Sequence, residues 1–276
     1  MASKLLWAAP VALLITVSGC AEMMTPPLSS ERIAAIVASP DRTAADRTAD
    51  ARRKPADVLA FIGVRPGSIA LDVSAGGGYT TELVARAVGP NGRVYGQFPP
   101  PRPANARGPA VPEDGAPPPP ATNAPPRPTA AALLAARAAR VQASGNIVPV
   151  QRPFEDPVPP EMAQGGLDLV TLMFNYHDLG HLGVDRARMN RAVFAALKPG
   201  GVYVISDHSG RPGTGISESG TLHRIEEEFL KREVEAAGFK LAAVGNFMRN
   251  PADPRDKIAP VPPMSRDDFF LKFVKP

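Results

Sequence analysis

Residues Ala70 to Gly89 read "ALDVSAGGGYTTELVARAVG". A strand-like run, Ser68 to Val73, carries an acid, Asp72, near its end. Three glycines follow, Gly76 to Gly78, and an amphipathic helix then runs from Thr80 to Val88. The "GPNG" turn (Gly89 to Gly92) leads into a second strand, Arg93 to Gln97. Strand, bare turn, helix and strand in that order begin a parallel α/β sheet.

The alternation continues downstream. An Ala/Arg-rich helix is expected from Ala130 to Gln142 and a strand near Asn146 to Gln151. "LDLVTLMF" (Leu167 to Phe174) is almost continuously apolar, as a strand buried on both faces should be. A helix from Val184 to Leu197 is expected to stop at Gly200 and Gly201, before the strand "VYVISD" (Val202 to Asp207). Another helix, Arg224 to Ala237, ends at Gly238. Two last strands, Lys240 to Phe247 and Asp267 to Val274, have no helix between them and must pair antiparallel. The fold class is therefore α/β, a doubly wound, Rossmann-like sheet.

Two segments stand apart from this domain. Lys4, the apolar run Leu5 to Val17 and the small residues before Cys20 resemble a bacterial lipoprotein signal. A run of thirteen residues is too short to span a bilayer comfortably. Residues 1–19 are thus expected to be a signal peptide and 20–29 a tether. Cys20 is the expected lipidation site, placing the protein in the cell envelope on the periplasmic face. Cys20 is also the only cysteine, so no internal disulfide is expected. The second segment, residues 98–129 of the domain 30–276, holds thirteen prolines. Such a stretch cannot bury enough apolar surface to offset its ordering entropy, and a disordered insertion is expected. Net charge is only +4, and the cations are scattered among acids. A nucleic-acid partner is therefore not expected.

The glycine turn admits several ligands. A phosphate-binding P-loop requires Lys-Ser/Thr after its last glycine, but Tyr79 and Thr80 stand there. A dinucleotide site wants a third spaced glycine, where Thr81 stands, and an acid closing the second strand, where Gln97 lies. S-adenosylmethionine, a cationic nucleoside without phosphate, needs close backbone approach and a nearby carboxylate. Asp72, Ser74, Gly76 and Gly78 fit the register D-x-(G/S)-x-G-x-G. A glycine turn that merely closes a strand–helix corner is the plain alternative.

"LDVSAGGGYTTELVARAVGPNGRVYGQ", "LKPGGVYVISDH" and "EVEAAGFKL" resemble, in order and spacing, the landmarks of class I S-adenosylmethionine-dependent methyltransferases. More closely, "RKPADVLAFIGVRPG", "NYHD", "DHSG" and "TLHRI" look like the marks of a family of bacterial methyltransferases. The resemblance covers about Arg47 to Pro276 apart from the proline-rich insertion. It implies a seven-stranded sheet with a C-terminal antiparallel hairpin, and S-adenosylmethionine as cofactor across the strands' carboxyl ends. Asp72, Ser74, Ala75, Gly76, Gly77 and Gly78 would face its methionine part, Gln97 its ribose, and Glu155 or Asp156 its adenine. Ser74 replaces the family's usual glycine and Gln97 its usual acid.

Catalytic candidates gather at two later strand ends, in "NYHDLGH" (Asn175 to His181) and "DHSG" (Asp207 to Gly210). His177 or His208 is the expected base, oriented by Asp178 or Asp207, with Asn175 and Tyr176 lining the acceptor pocket. A metal site at His177, His181 and His208 is the rival reading, opposed by Gly180 and Gly183, which disfavour a helix presenting the first two histidines together. The expected acceptor is a small molecule, and the oligomeric state is left open. Because S-adenosylmethionine is made in the cytosol while the chain reads as exported, a second functional reading is a non-catalytic ligand-binding envelope lipoprotein on the same scaffold.

Overall fold

The computed structural model describes residues 25–101, 128–141, 145–258 and 265–276; the expected signal peptide, Cys20 and most of the proline-rich insertion lie outside them. Helices α1 (Ser30–Val37), α2 (Ala44–Arg53) and α3 (Pro55–Ile62) precede the sheet. Then follow β1 (Ile69–Val73), α4 (Tyr79–Val88), β2 (Arg93–Phe98), α5 (Ala130–Arg140), β3 (Ile147–Gln151) and β4 (Leu167–Met173). The chain continues through the short α6 (Asp178–His181), α7 (Arg186–Ala196), β5 (Leu197–His208), α8 (Glu227–Glu235), β6 (Lys240–Gly245) and β7 (Asp268–Val274).

The seven strands lie in the order β3-β2-β1-β4-β5-β7-β6. Strands β1 to β5 are parallel to one another, and β7 runs antiparallel between β5 and β6. The expected doubly wound sheet with a C-terminal antiparallel hairpin is what forms. From β1 the chain winds outward through β2 and β3, then crosses back to β4 on the other side. The carboxyl ends of β1 and β4 are therefore the switch point, where an open α/β sheet leaves a crevice.

Side-chain alternation along the strands supplies a core on each face. Leu71, Val73, Val170 and Leu172 face Met189 and Val193 of α7 and Leu230 and Val234 of α8. Ala70, Leu169, Val204 and Phe270 face the other layer, with Ile33, Leu59, Val84 and Leu134 from α1, α3, α4 and α5. Among the described residues no helix is long and apolar enough to cross a membrane.

Three local expectations need correction. Helix α7 ends at Ala196, and Leu197 already pairs with Leu167, so "KPGG" belongs to the start of β5. There Gly200 takes φ 76°, and the two glycines exchange backbone hydrogen bonds with Lys275. Helix α8 begins at Glu227 because Ile225 bridges Ser209 and the buried Arg224 is drawn to Asp253 and the Ser209 carbonyl. The expected tether is already folded at its end: Leu28 donates its N–H to Val64, and Ser29 caps α1.

The tetrapeptide "DRTA" occurs twice, from Asp41 and from Asp46, and each copy places its acid in an ion pair. Asp41 of the first copy pairs with Arg86 of α4, and Asp46 of the second with Arg137 of α5, both at 2.8 Å. Arg42 forks onto Asp50 at 2.7 Å through both terminal nitrogens, and Tyr79 donates its hydroxyl to Asp50 at 2.6 Å. These pairs fasten α2 over the start of α4.

Candidate functional site

The turn after β1 is pinned from behind. Ser74 donates its N–H to Gln97 Oε1 at 2.8 Å, Ala75 donates to the Gln97 carbonyl, and Gln97 Nε2 donates to the Arg152 carbonyl at 2.6 Å. Gln97 is fully buried, with both ends of its amide used on backbone. Its expected place beside a ribose is therefore corrected: it positions the turn.

The glycines divide by purpose. Gly78 has φ 78°, and a Cβ there would meet Leu134 Cδ1 at 2.7 Å and Arg137 Cδ at 2.9 Å, so the packing of α5 demands it. Gly76 has φ 53° and open space where a side chain would project. The bare backbone at Gly76 faces the crevice.

Asp72 forms part of the floor. Register sets Thr171 beside it on β4, and Thr171 and Thr81 donate their hydroxyls to its two oxygens at 2.7 and 2.6 Å. Burial outweighs these bonds and raises its pKa to about 6.

Around this floor opens a cleft of about 370 Å³, lined by Ser74 to Gly77, Tyr79 and Thr80, by Arg52, Arg53 and Arg137, and by Met173, Phe174, Asn175 and His208. That volume lies in the range of small-molecule sites, about 300–1,000 Å³. Ser74 and Phe174, at the ends of β1 and β4, hold φ of 59° and 57° although neither is glycine. Strain of this kind is retained where surrounding structure over-determines it, typically beside a site. Ser74 donates its hydroxyl to Asn175 Oδ1 at 2.5 Å, and the Phe174 ring stacks on His208, with centroids 5.4 Å apart.

The two candidate bases have different surroundings. His208 lines the cleft, and its Nδ1 lies 2.6 Å from Asp268, its partner in the β5–β7 register. Burial, assisted by Arg266, holds its pKa well below the usual imidazole range, so the ring is neutral. Burial likewise raises Asp268 to about 7. His177 is fully buried and does not line the cleft. Its Nδ1 lies 2.6 Å from Asp207 Oδ1 and its Nε2 3.1 Å from Asp178 Oδ1. Burial alone would lower its pKa, but the two carboxylates prevail and raise it to about 10. His177 is thus placed between two carboxylates and away from the cleft, not beside an acceptor as expected.

Other expected residues are redistributed. Asp207 orients His177, accepting from its N–H at 2.7 Å, and also accepts from the N–H of His208 at 2.8 Å. Tyr176 points into the opposite core, donating to Glu233 and accepting from Asn190, so it does not line an acceptor pocket. Asp156 is tied back by Arg152, and neither it nor Glu155 lines the cleft. The trio His177, His181 and His208 is not assembled as ligands. Among the described residues the group with metal-binding spacing is His177, Asp178 and His223.

Arg52, Arg53, Arg137, Phe174 and Asp268 were not legible as site residues. The adjacent pair Arg52-Arg53 before Pro55 was the one available signal; Asp268 becomes a partner of His208 only through the antiparallel register.

No protein-family model and no curated protein sequence matches the chain. Among solved structures it is similar to a SAM-dependent methyltransferase from Aquifex aeolicus, at 14% identity and TM-score 0.54, covering 90% of this chain and 100% of that one. It is also similar to an arsenic(III) S-adenosylmethionine methyltransferase from Chlamydomonas reinhardtii, at 17% identity and TM-score 0.53, covering 91% and 74%. A third is geranyl diphosphate C-methyltransferase from Streptomyces coelicolor A3(2), at 12% identity and TM-score 0.53, covering 92% and 90%. What is shared at such identities is the fold, the class I methyltransferase fold.

Proposed function

We propose that this protein is an S-adenosylmethionine-dependent methyltransferase acting on a small-molecule acceptor. The observation that carries the reading is the bare backbone from Ser74 to Gly77, at the switch point and facing a 370 Å³ cleft whose wall holds neutral His208. The donor set suits the cofactor. Backbone groups from Ser74 to Gly77 and the Asp72 carboxylate would hold its amino end, and Arg52 or Arg53 its carboxylate. Met173 and Phe174 offer apolar surface. When bound, the cofactor supplies an electrophilic methyl group carried on a sulfonium.

The chain's own residues do the rest. The cleft fixes the acceptor's approach, which supplies much of the rate in a displacement of this kind. His208 takes the proton that an acceptor hydroxyl, amine or thiol must lose, while Asp268 keeps Nδ1 engaged and the ring in place. Asn175, held by Ser74 and donating to Asp178 at 2.8 Å, keeps the end of β4 against the turn.

Calorimetric titration with S-adenosylmethionine and S-adenosylhomocysteine tests the cofactor. Saturable binding of both, weakened in Asp72→Ala, is the expected result; absence of binding would refute the reading. Transfer of labelled methyl to an envelope extract tests the chemistry. Binding without transfer would favour the ligand-binding lipoprotein instead. Lipid anchoring at Cys20, on the periplasmic face of the envelope, belongs to the same proposal and rests on the sequence before residue 21.

A further inference from the structure

We infer that His177, Asp178 and His223 form a binding site for one divalent transition-metal ion, zinc being the best-suited occupant. This site is separate from the cofactor reading and does not depend on it.

The ligand atoms of these three residues all lie within 4.8 Å of one another. Asp178 Oδ1 is 3.1 Å from His177 Nε2 and 2.9 Å from His223 Nδ1. A tetrahedral ion with bonds of about 2.0–2.1 Å spaces its ligands roughly 3.3 Å apart, so small side-chain adjustments admit it. His177 Nε2 is buried and faces Asp178 Oδ1 at 3.1 Å, so a cation between the two would take the place of the imidazolium proton.

The surroundings are built as metal sites are. Asp207 engages His177 Nδ1 at 2.6 Å, which leaves Nε2 as the ligating atom; a carboxylate behind a ligating histidine is the usual outer support. Asn175 donates to the other oxygen of Asp178 at 2.8 Å, leaving Oδ1 for the ion. Each imidazole must present a lone pair, so binding releases whatever proton the ligating nitrogens carry to solvent. Two imidazoles and one carboxylate suit zinc better than magnesium or calcium, which prefer oxygen alone. Three protein ligands leave a fourth position for water or an acceptor atom, the pattern of a catalytic rather than a structural zinc. His181, with Nδ1 3.8 Å from Asp178 Oδ1, stands beside that position.

The full chain, freed of metal by chelator and dialysis, is titrated with Zn²⁺ and, separately, with Co²⁺ as a spectroscopic probe. One equivalent of Zn²⁺ per chain is expected, together with the visible absorption of four-coordinate Co²⁺. His223→Ala and Asp178→Asn should each weaken binding at least about 100-fold, and Asp207→Asn about 10–100-fold, the range for loss of an outer-shell partner. Circular dichroism of each variant establishes that it is folded, and His223→Gln replaces His223→Ala if the latter is not. Less than half an equivalent in the wild-type chain would overturn the site. So would unchanged Zn²⁺ affinity in a folded His223 variant.

Discussion

At the scale of single residues, the cleft separates two histidines that look alike in the sequence. His208 is neutral and lines the cleft; His177 is charged and buried between carboxylates. His208→Asn should therefore lower the rate of methyl transfer about 10²–10⁴-fold, the usual contribution of a general base. Binding of S-adenosylhomocysteine should change little, so calorimetry and turnover measured together separate a lost base from a lost fold. Gly76 and Gly78 make a second pair. Gly78→Ala would force a Cβ within 3 Å of Leu134 and Arg137 at φ 78° and should destabilise the protein by about 1–3 kcal/mol in chemical denaturation. Gly76→Val meets open space, so beyond the strain of its φ its main effect should be weaker cofactor binding. Both glycines were legible as a turn, but which serves packing and which serves a ligand was not. That depends on α5, more than fifty residues downstream, lying against Gly78.

At the scale of elements, helix α2 is held by charge more than by apolar area. Its one buried residue is Asp46, which pairs with Arg137 of α5. Burial would raise the Asp46 pKa, but Arg137 and the Thr43 hydroxyl overcome it and lower it to about 2. A carboxylate depressed below its unfolded value of 3.8 adds stability that is complete above about pH 5. That stability is lost as pH falls through 4 towards 2. Asp46→Asn should thus lower stability near neutrality and flatten the decline between pH 5 and pH 2, read from denaturant midpoints across that range. Arg42 with Asp50 and Tyr79 forms the companion cluster, so α2 presents Arg52 and Arg53 to the cleft from a fixed base. The amphipathic elements were readable from periodicity. Helix α2 was not legible in this way, because its partners are long-range charges and leave no periodic mark.

For the whole molecule, topology accounts for the site. Carrying the chain outward over β2 and β3 before returning to β4 leaves the ends of β1 and β4 adjacent, with the crevice between them. The antiparallel β7 then brings Asp268 beside His208 at the neighbouring strand end. The proposed anchoring at Cys20 is tested on the whole chain: the protein should incorporate labelled palmitate and sediment with membranes, whereas Cys20→Ala should abolish the label and shift the protein to the soluble fraction.

The sequence by itself determined the class of fold, because hydrophobic period and glycine placement are local signals that each element carries alone. It also marked strand ends that come to line the cleft, through Asp72, the glycine turn, Asn175 of "NYHD" and His208 of "DHSG". Tertiary structure decided the roles. Just beyond β4, where Phe174 takes φ 57°, the chain turns Asn175 toward the glycine turn and Tyr176 into the opposite core. Register set Asp268 against His208, and burial pushed the two histidines to opposite charge states. Those outcomes depend on distances between residues far apart in the chain and on how much water each group loses, neither of which is encoded in any local stretch.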